Sequence, residues 1–207
     1  MADKKSYHHG DLRRALLDSA LAIIEEQDVS TLSLRQVARR AGVSHTAPYR
    51  HFADKEELLA AVAEEGFQEF SRYLEQARDA ESTSLNQLQA TGNAYVEYAL
   101  RYPTHYRVMF GSYCHDADAF PSLTTTANQS FQILVEIIEA GQATEDIKPG
   151  EPQLLALANW SLVHGLAMLL LDNRLGIKKD ATQPLIQKTI ELMEHGVAVI
   201  PDGASSV

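Results

Sequence analysis

The chain has 207 residues, of which 45% are hydrophobic and 22% charged, with a single cysteine and a net charge of −10. That composition excludes a low-complexity or collagen-like chain, and one cysteine excludes an internal disulfide framework. The opening ten residues lack the apolar stretch of a secretory leader, and the most apolar run, 154–171, is broken by Asn159, Ser161 and His164, so the expectation is a cytoplasmic protein with no membrane span.

The charge is uneven. Residues 1–55 hold nine lysines and arginines against seven acids, whereas residues 56–207 carry −12; within 30–55 five basic residues face Asp54 alone. A basic head on an acidic body points to a polyanion at one end of the molecule.

Apolar residues recur at three- and four-residue spacing throughout, and no stretch alternates as a strand does, so the chain reads as all-α. Asp11 is expected to cap a first helix with Leu12, Ala15, Leu16, Ala20, Ile23 and Ile24 inward, ending at Gln27 and Asp28. Ser33 caps a short second helix with Leu34, Val37, Ala38 and Ala41 inside, Gly42 permits a tight turn, and Ser44 is expected to cap a short third helix. Two short helices joined through Gly42-Val43 read as helix-turn-helix. Val37, Ala38, Ala41, Val43, Ala47 and Phe52 are core by spacing, which leaves Ser33, Arg35, Arg39, Ser44, His45, Thr46, Tyr49, Arg50, His51 and Lys55 outward.

The run from Leu32 to Leu59, and within it Val37-Ala38, Ala41-Gly42-Val43-Ser44, Tyr49-x-His51-Phe52 and Lys55-x-x-Leu58-Leu59, closely resembles the DNA-binding signature of TetR-type (TetR/AcrR) transcriptional regulators. The resemblance implies that Tyr49, His51 and Lys55 grip the phosphate backbone and that His45, Thr46 and Arg50 face base edges. Ser33, Arg35 and Ser44 complete the candidate DNA contacts, because helix starts present N–H groups that suit phosphate oxygens. Pro48 departs from the small or aliphatic residue usual there and removes a helical donor, so an irregular recognition helix is expected. The arm at residues 4–10 can lie along a groove, as basic arms do; its adjacent His8 and His9 diverge in an extended segment, so no metal site is expected.

Asp54-Lys-Glu-Glu57 has capping-box spacing and opens a long helix with Leu59, Val62, Phe67, Phe70, Tyr73 and Leu74 on one side. After a polar loop at 78–84, the next helix ends at Pro103, and Thr104 is expected to cap a short helix carrying Val108, Met109 and Phe110. A loop at 111–119, a helix at 120–141, a turn at 149–152, and helices at 153–174 and 182–199 complete the body. The expected organisation is a three-helix DNA-binding domain over 1–53, a helical ligand-binding and dimerisation domain over 54–199, and a disordered tail over 200–207.

Four of eight tyrosines, Tyr95, Tyr98, Tyr102 and Tyr106, fall within twelve residues, a density that fits an aromatic-lined cavity or, for Tyr98 especially, ordinary core. Trp160, His164 and Met168 share a helix face at four-residue spacing. Trp160-x-x-x-His164-Gly165 and Tyr102-Pro-x-x-Tyr106-x-x-Met109-Phe110 look like the regulatory domain of a TetR subgroup named for its Trp-His-Gly element. The candidate ligand contacts are Tyr95, Tyr102, Tyr106, Met109, Phe110, Phe131, Trp160, His164 and Met168; for His164 a satisfied core histidine is the equal alternative. The helix at 153–174 is apolar nearly all round and needs cover on two sides. Leu154, Leu155, Leu162, Leu169 and Leu170 with Leu185, Thr189, Leu192, Met193 and Gly196 would form a two-fold four-helix interface, as the resemblance implies.

The function expected from these features is a homodimeric repressor on a palindromic duplex, released by a hydrophobic small molecule, with no cofactor, metal or catalytic centre. A redox- or ligand-sensing dimer triggered at Cys114 is one alternative. A small enzyme using Cys114-His115-Asp116 is another, disfavoured because three consecutive loop residues rarely converge on one point.

Overall fold

The computed structural model describes residues 9–111 and 118–197, and within them every regular element is a helix. In chain order these are α1 (His9–Glu26), α2 (Leu34–Arg40), α3 (Lys55–Asp79), α4 (Ser84–Arg101), α5 (Pro103–Met109), α6 (Pro121–Ala143), α7 (Pro152–Leu171) and α8 (Lys179–Val197), with 3₁₀ turns at Val29–Thr31 and Pro48–Arg50. The Cys114, His115 and Asp116 alternative, the basic arm through His8 and the expected tail lie outside the described residues.

Two compact units form. The first comprises the chain up to Gly66 with Thr104–Thr124, and the second Phe67–Pro103 with the chain from Thr125 onward. Helix α3 therefore contributes its first twelve residues to one unit and the remainder to the other.

In the first unit α1 buries Leu16, Leu17, Ala20 and Ile23, and α2 buries Leu34, Val37 and Ala38; Phe52, Leu58, Leu59 and Val62 complete the core. Helix α1 starts at His9, two residues before the expected Asp11 cap. Asp28 does not simply end α1. Its carboxylate accepts from the Ser30 N–H at 2.8 Å and so caps the turn at Val29–Thr31. Arg14 of α1 reaches Glu65 of α3 at 3.3 Å, and Ser122 at the start of α6 donates to Glu64 at 2.6 Å. Gly66 lies directly under Met109 of α5: a Cβ there would sit 2.7 Å from the Met109 Cγ and Sδ, so glycine is what permits that approach.

In the second unit α4 lies at the centre, packed on α7 and α8. Its buried side chains include Leu88, Tyr95, Val96, Tyr98 and Ala99. Thr83 caps α4 by accepting from the Asn86 N–H. Helix α5 begins at Pro103 instead of being capped by Thr104, since a proline in the first turn gives up a donor that has no helical acceptor anyway. Helix α8 begins at Lys179, ahead of the expected Thr182, and carries Pro184 inside it.

Ile186, Ile190 and Met193 of α8 point inward. Met193, expected on an intersubunit face, instead reaches over Gly92 of α4, where a Cβ would already be in contact with Met193 Cε at 3.4 Å. Helix α7 buries Ala156, Asn159, Val163, Leu166 and Ala167 along one side, while Leu154, Leu157, Leu162 and Leu169 remain 36–60% exposed on the other. By length and composition alone, this helix could also cross a membrane.

Candidate functional site

The helix-turn-helix is built from local chemistry. Ser33 accepts from the Gln36 N–H at 3.3 Å and donates its hydroxyl to the Gln36 side-chain oxygen at 3.0 Å, fixing the start of α2. At the far end Val43 N–H bonds the Ala38 carbonyl at 3.0 Å and Gly42 N–H the Arg39 carbonyl at 3.3 Å, with Gly42 at φ +69°. This six-to-one and five-to-two closure needs a left-handed residue, which glycine supplies without strain. Arg40 is committed to a bidentate pair with Glu26, 2.6 Å for each bond, leaving Arg35 and Arg39 as the exposed cations of α2.

Residues 44–50 do not form the short α-helix expected after Ser44. Ser44 caps no helix; its hydroxyl pairs with that of Thr46 at 3.2 Å, and its carbonyl accepts from Ala47 three residues on at 3.0 Å. Pro48 is the cause, since its ring nitrogen has no hydrogen to give the Ser44 carbonyl in an α-helical pattern. Arg50 N–H then bonds Ala47 and His51 N–H bonds Pro48, again three residues back, at 3.2 and 2.9 Å. Pro48 is buried, whereas Ser44, His45, Thr46 and Arg50 are exposed and Tyr49 shows 54% of its surface.

Phe52 is buried beneath the Arg13 guanidinium, 5.6 Å above its ring. His51 is half-buried with Nε2 enclosed and unpartnered among the described residues, so a phosphate contact from this ring would have to use Nδ1. Asp54 accepts from Glu57 N–H at 2.8 Å and the Glu57 carboxylate accepts from Ala53 N–H at 2.5 Å, so the return bond at the start of α3 goes to the residue before the cap. Lys55 donates to the Ser30 carbonyl at 3.0 Å, one use of its three donors. It also helps hold the Asp28 carboxyl below its usual range, after the larger effect of hydrogen bonds from Ser30.

The second unit brings Tyr95, Phe131, Trp160 and His164 into one cluster. The Trp160 indole N–H donates to the Tyr95 oxygen at 3.0 Å, and that oxygen lies 2.9 Å from His164 Nδ1. Burial holds the His164 imidazole below its usual pKa and so favours the neutral ring, in which Nδ1 shares one hydrogen bond with the Tyr95 hydroxyl. Phe131 meets Trp160 edge-on at 5.9 Å, and Phe70 of α3 stands edge-on to Tyr95 at 5.0 Å. Phe70 read as helix core in the sequence; nothing in its spacing shows which aromatic it meets.

Tyr98 packs between Phe70, Tyr73 and Tyr102, 1% exposed, and burial pushes its phenol pKa up. Tyr102 thus joins the cluster's edge through Tyr98, and Met168 lies half-buried on α7. The other candidates fall in the first unit: Tyr106 pairs with Phe110 at 4.7 Å, and Met109 covers Gly66. Asn159, a polar break in the apolar run of α7, is 3% exposed. Its amide N–H donates to the Leu155 carbonyl at 2.6 Å, and its oxygen has no partner among the described residues.

Residues 16–62 match the family of bacterial regulatory proteins, tetR family, and residues 88–193, half of the chain, match the tetracyclin repressor-like C-terminal domain. The chain belongs to the tetR family. A protein with unknown function from Rhodococcus sp. RHA1 is similar over 95% of this tetR-family chain and 100% of its own, at 35% identity and TM-score 0.84. An uncharacterized HTH-type transcriptional regulator of Haemophilus influenzae is 39% identical over 79 residues, a match that spans 38% of either protein. Among more distant members of the fold, the transcriptional regulator FadR of Bacillus subtilis, solved in complex with stearoyl-CoA, shares 18% identity over 88% of this chain and 98% of its own, at TM-score 0.74.

Proposed function

We propose that the protein is a cytoplasmic, homodimeric, DNA-binding transcriptional regulator, a repressor released from a palindromic operator by a hydrophobic small molecule. The observation that carries this reading is the helix-turn-helix, in which Gly42 closes α2 and turns the chain into an exposed edge of Ser44, His45, Thr46, Tyr49 and Arg50. Arg35, Arg39 and Lys55 supply cations beside it, and Ser33 and His51 are further candidates for phosphate contacts.

The dimer reading rests on α7 and α8. Leu154, Leu157, Leu162 and Leu169 form an exposed apolar stripe, and Gly165 on the same helix has no atom within 4 Å of a built Cβ. Leu192 of α8 is 73% exposed. A second copy covers such a surface more economically than a bilayer, where Asn159, Ser161 and His164 in the same helix would be costly. Leu155, Leu170, Leu185, Thr189 and Gly196 would flank the stripe.

The effector reading rests on the cluster of Tyr95, Phe131, Trp160 and His164, aromatic rings gathered around a hydrogen-bonded centre. A hydrophobic effector fits that chemistry, and the complex of the similarly folded FadR of Bacillus subtilis with stearoyl-CoA supports a ligand of that kind. Release of DNA would follow if the effector binds better to a conformation in which α3, continuous from Lys55 to Asp79, presents the two heads of a dimer at the wrong separation. The test is selection of genomic fragments by the purified protein. Enrichment of a short two-fold-symmetric sequence is expected, and no enrichment over bulk DNA contradicts the reading.

A further inference from the structure

The departure of residues 44–50 from α-helical winding bears on which bases are read, and this inference rests on the DNA-binding reading above. In an α-helix successive side chains are about 100° apart, so residues four apart nearly align; in a 3₁₀ turn they are about 120° apart and residues three apart align. Here the bonds from Ala47 to Ser44, Arg50 to Ala47 and His51 to Pro48 span three residues and the 3₁₀ turn itself runs over Pro48–Arg50, while Phe52 N–H reaches the Pro48 carbonyl four residues back as the winding relaxes. A uniform tighter winding from Thr46 to Tyr49 would close an offset of about 60° to about zero, and the turn at Pro48–Arg50 moves it in that direction. From Thr46 to Arg50 the same uniform winding would open an offset of about 40° toward about 120°.

Thr46, Tyr49 and Arg50 are all exposed, Tyr49 to an extent unusual for an aromatic, and Ala47, with which Arg50 aligns in the tighter winding, is half-buried. The Ser44 hydroxyl, paired with Thr46 at 3.2 Å, further fixes the start of this edge.

We propose that Pro48 is a specificity-determining residue that itself touches no base: by holding Pro48–Arg50 in the tighter winding it makes Thr46 and Tyr49 the sequence-reading pair and turns Arg50 toward the flank, onto the phosphate backbone. Pro48 acts through its neighbours, so its test must read base preference and not affinity alone.

The experiment selects binders from a randomised duplex pool with the full-length protein, its Arg50→Ala and Pro48→Ala variants, and the double variant, with melting curves for each. Arg50→Ala is expected to bind more weakly, with a salt dependence lower by about one unit for each phosphate it no longer neutralises, yet to select the same consensus as the parent. Pro48→Ala, free to wind as an α-helix, is expected to gain a base preference at a position the parent ignores, and the double variant to lose it. A changed consensus for Arg50→Ala alone overturns the proposal, as does an unchanged consensus for a folded Pro48→Ala. If Pro48→Ala melts below the assay temperature, the Arg50→Ala comparison in the parent background decides by itself. Absence of any enriched sequence with the parent protein would instead overturn the DNA-binding reading, and this proposal with it.

Discussion

The hydroxyl of Tyr95 on α4 lies 2.9 Å from Nδ1 of His164 on α7, and the Trp160 indole N–H closes on the same oxygen at 3.0 Å. One phenol thus serves two groups of the neighbouring helix, and buried polar atoms left unpaired are costly. Tyr95→Phe is expected to destabilise the protein by about 1–3 kcal/mol, measured by chemical unfolding, because it strips this partner from both Trp160 and His164. A variant as stable as the parent would show that the hydrogen bonds contribute nothing net.

The same pair sets a pH dependence. Burial lowers the folded-state pKa of His164 below the ordinary value of 6.5, so the unfolded chain takes up a proton there more readily than the folded one. The stabilisation is therefore fully present above the unfolded value and is lost as pH falls through the folded one. Melting temperatures of the parent and His164→Gln are expected to converge between about pH 7.5 and 5.5. A constant difference across that range would contradict the assignment.

Gly141 on α6 offers a test of packing. A Cβ there would lie 2.6 and 2.7 Å from the Cδ1 and Cγ1 of Ile147, which is 1% exposed, and 2.9 Å from the Cβ of Ser84. Gly141→Ala should cost about 1–3 kcal/mol through overpacking, and trimming the neighbour with Ile147→Val should reduce that cost in a double-mutant cycle.

What the sequence disclosed follows the range of the forces involved. Ser33, Gly42 and the Asp54-Glu57 pair act within four residues, and each performs the role its spacing announced. Pro48 announced an irregularity, and its extent is a 3₁₀ turn over Pro48–Arg50 in place of the third α-helix. Met193, expected on the intersubunit face, follows Ile186 and Ile190 inward at four- and three-residue spacing, and its contact with Gly92, about a hundred positions earlier, is not written in that spacing. Tyr106, Met109 and Phe110 continue the aromatic run of α4 in sequence, yet they belong to the first compact unit, a partition that no local pattern encodes.

The exposed leucines predict assembly. Leu154→Glu together with Leu192→Glu should shift the protein from dimer to monomer in sedimentation, because both side chains are more than half exposed in the single chain and a charge there does not disturb its core. A double variant still dimeric would place the interface elsewhere.

The central claim is that the exposed edge and cations of the first unit bind duplex DNA, and it is tested most directly by the salt dependence of affinity for the selected duplex. Titration at several salt concentrations is expected to give two protomers per duplex and a steep negative slope of log affinity against log salt, made shallower in Arg35→Ala and Lys55→Ala by about one unit for each phosphate left unneutralised. Affinity that is insensitive to salt, or a slope that neither substitution changes, would contradict it.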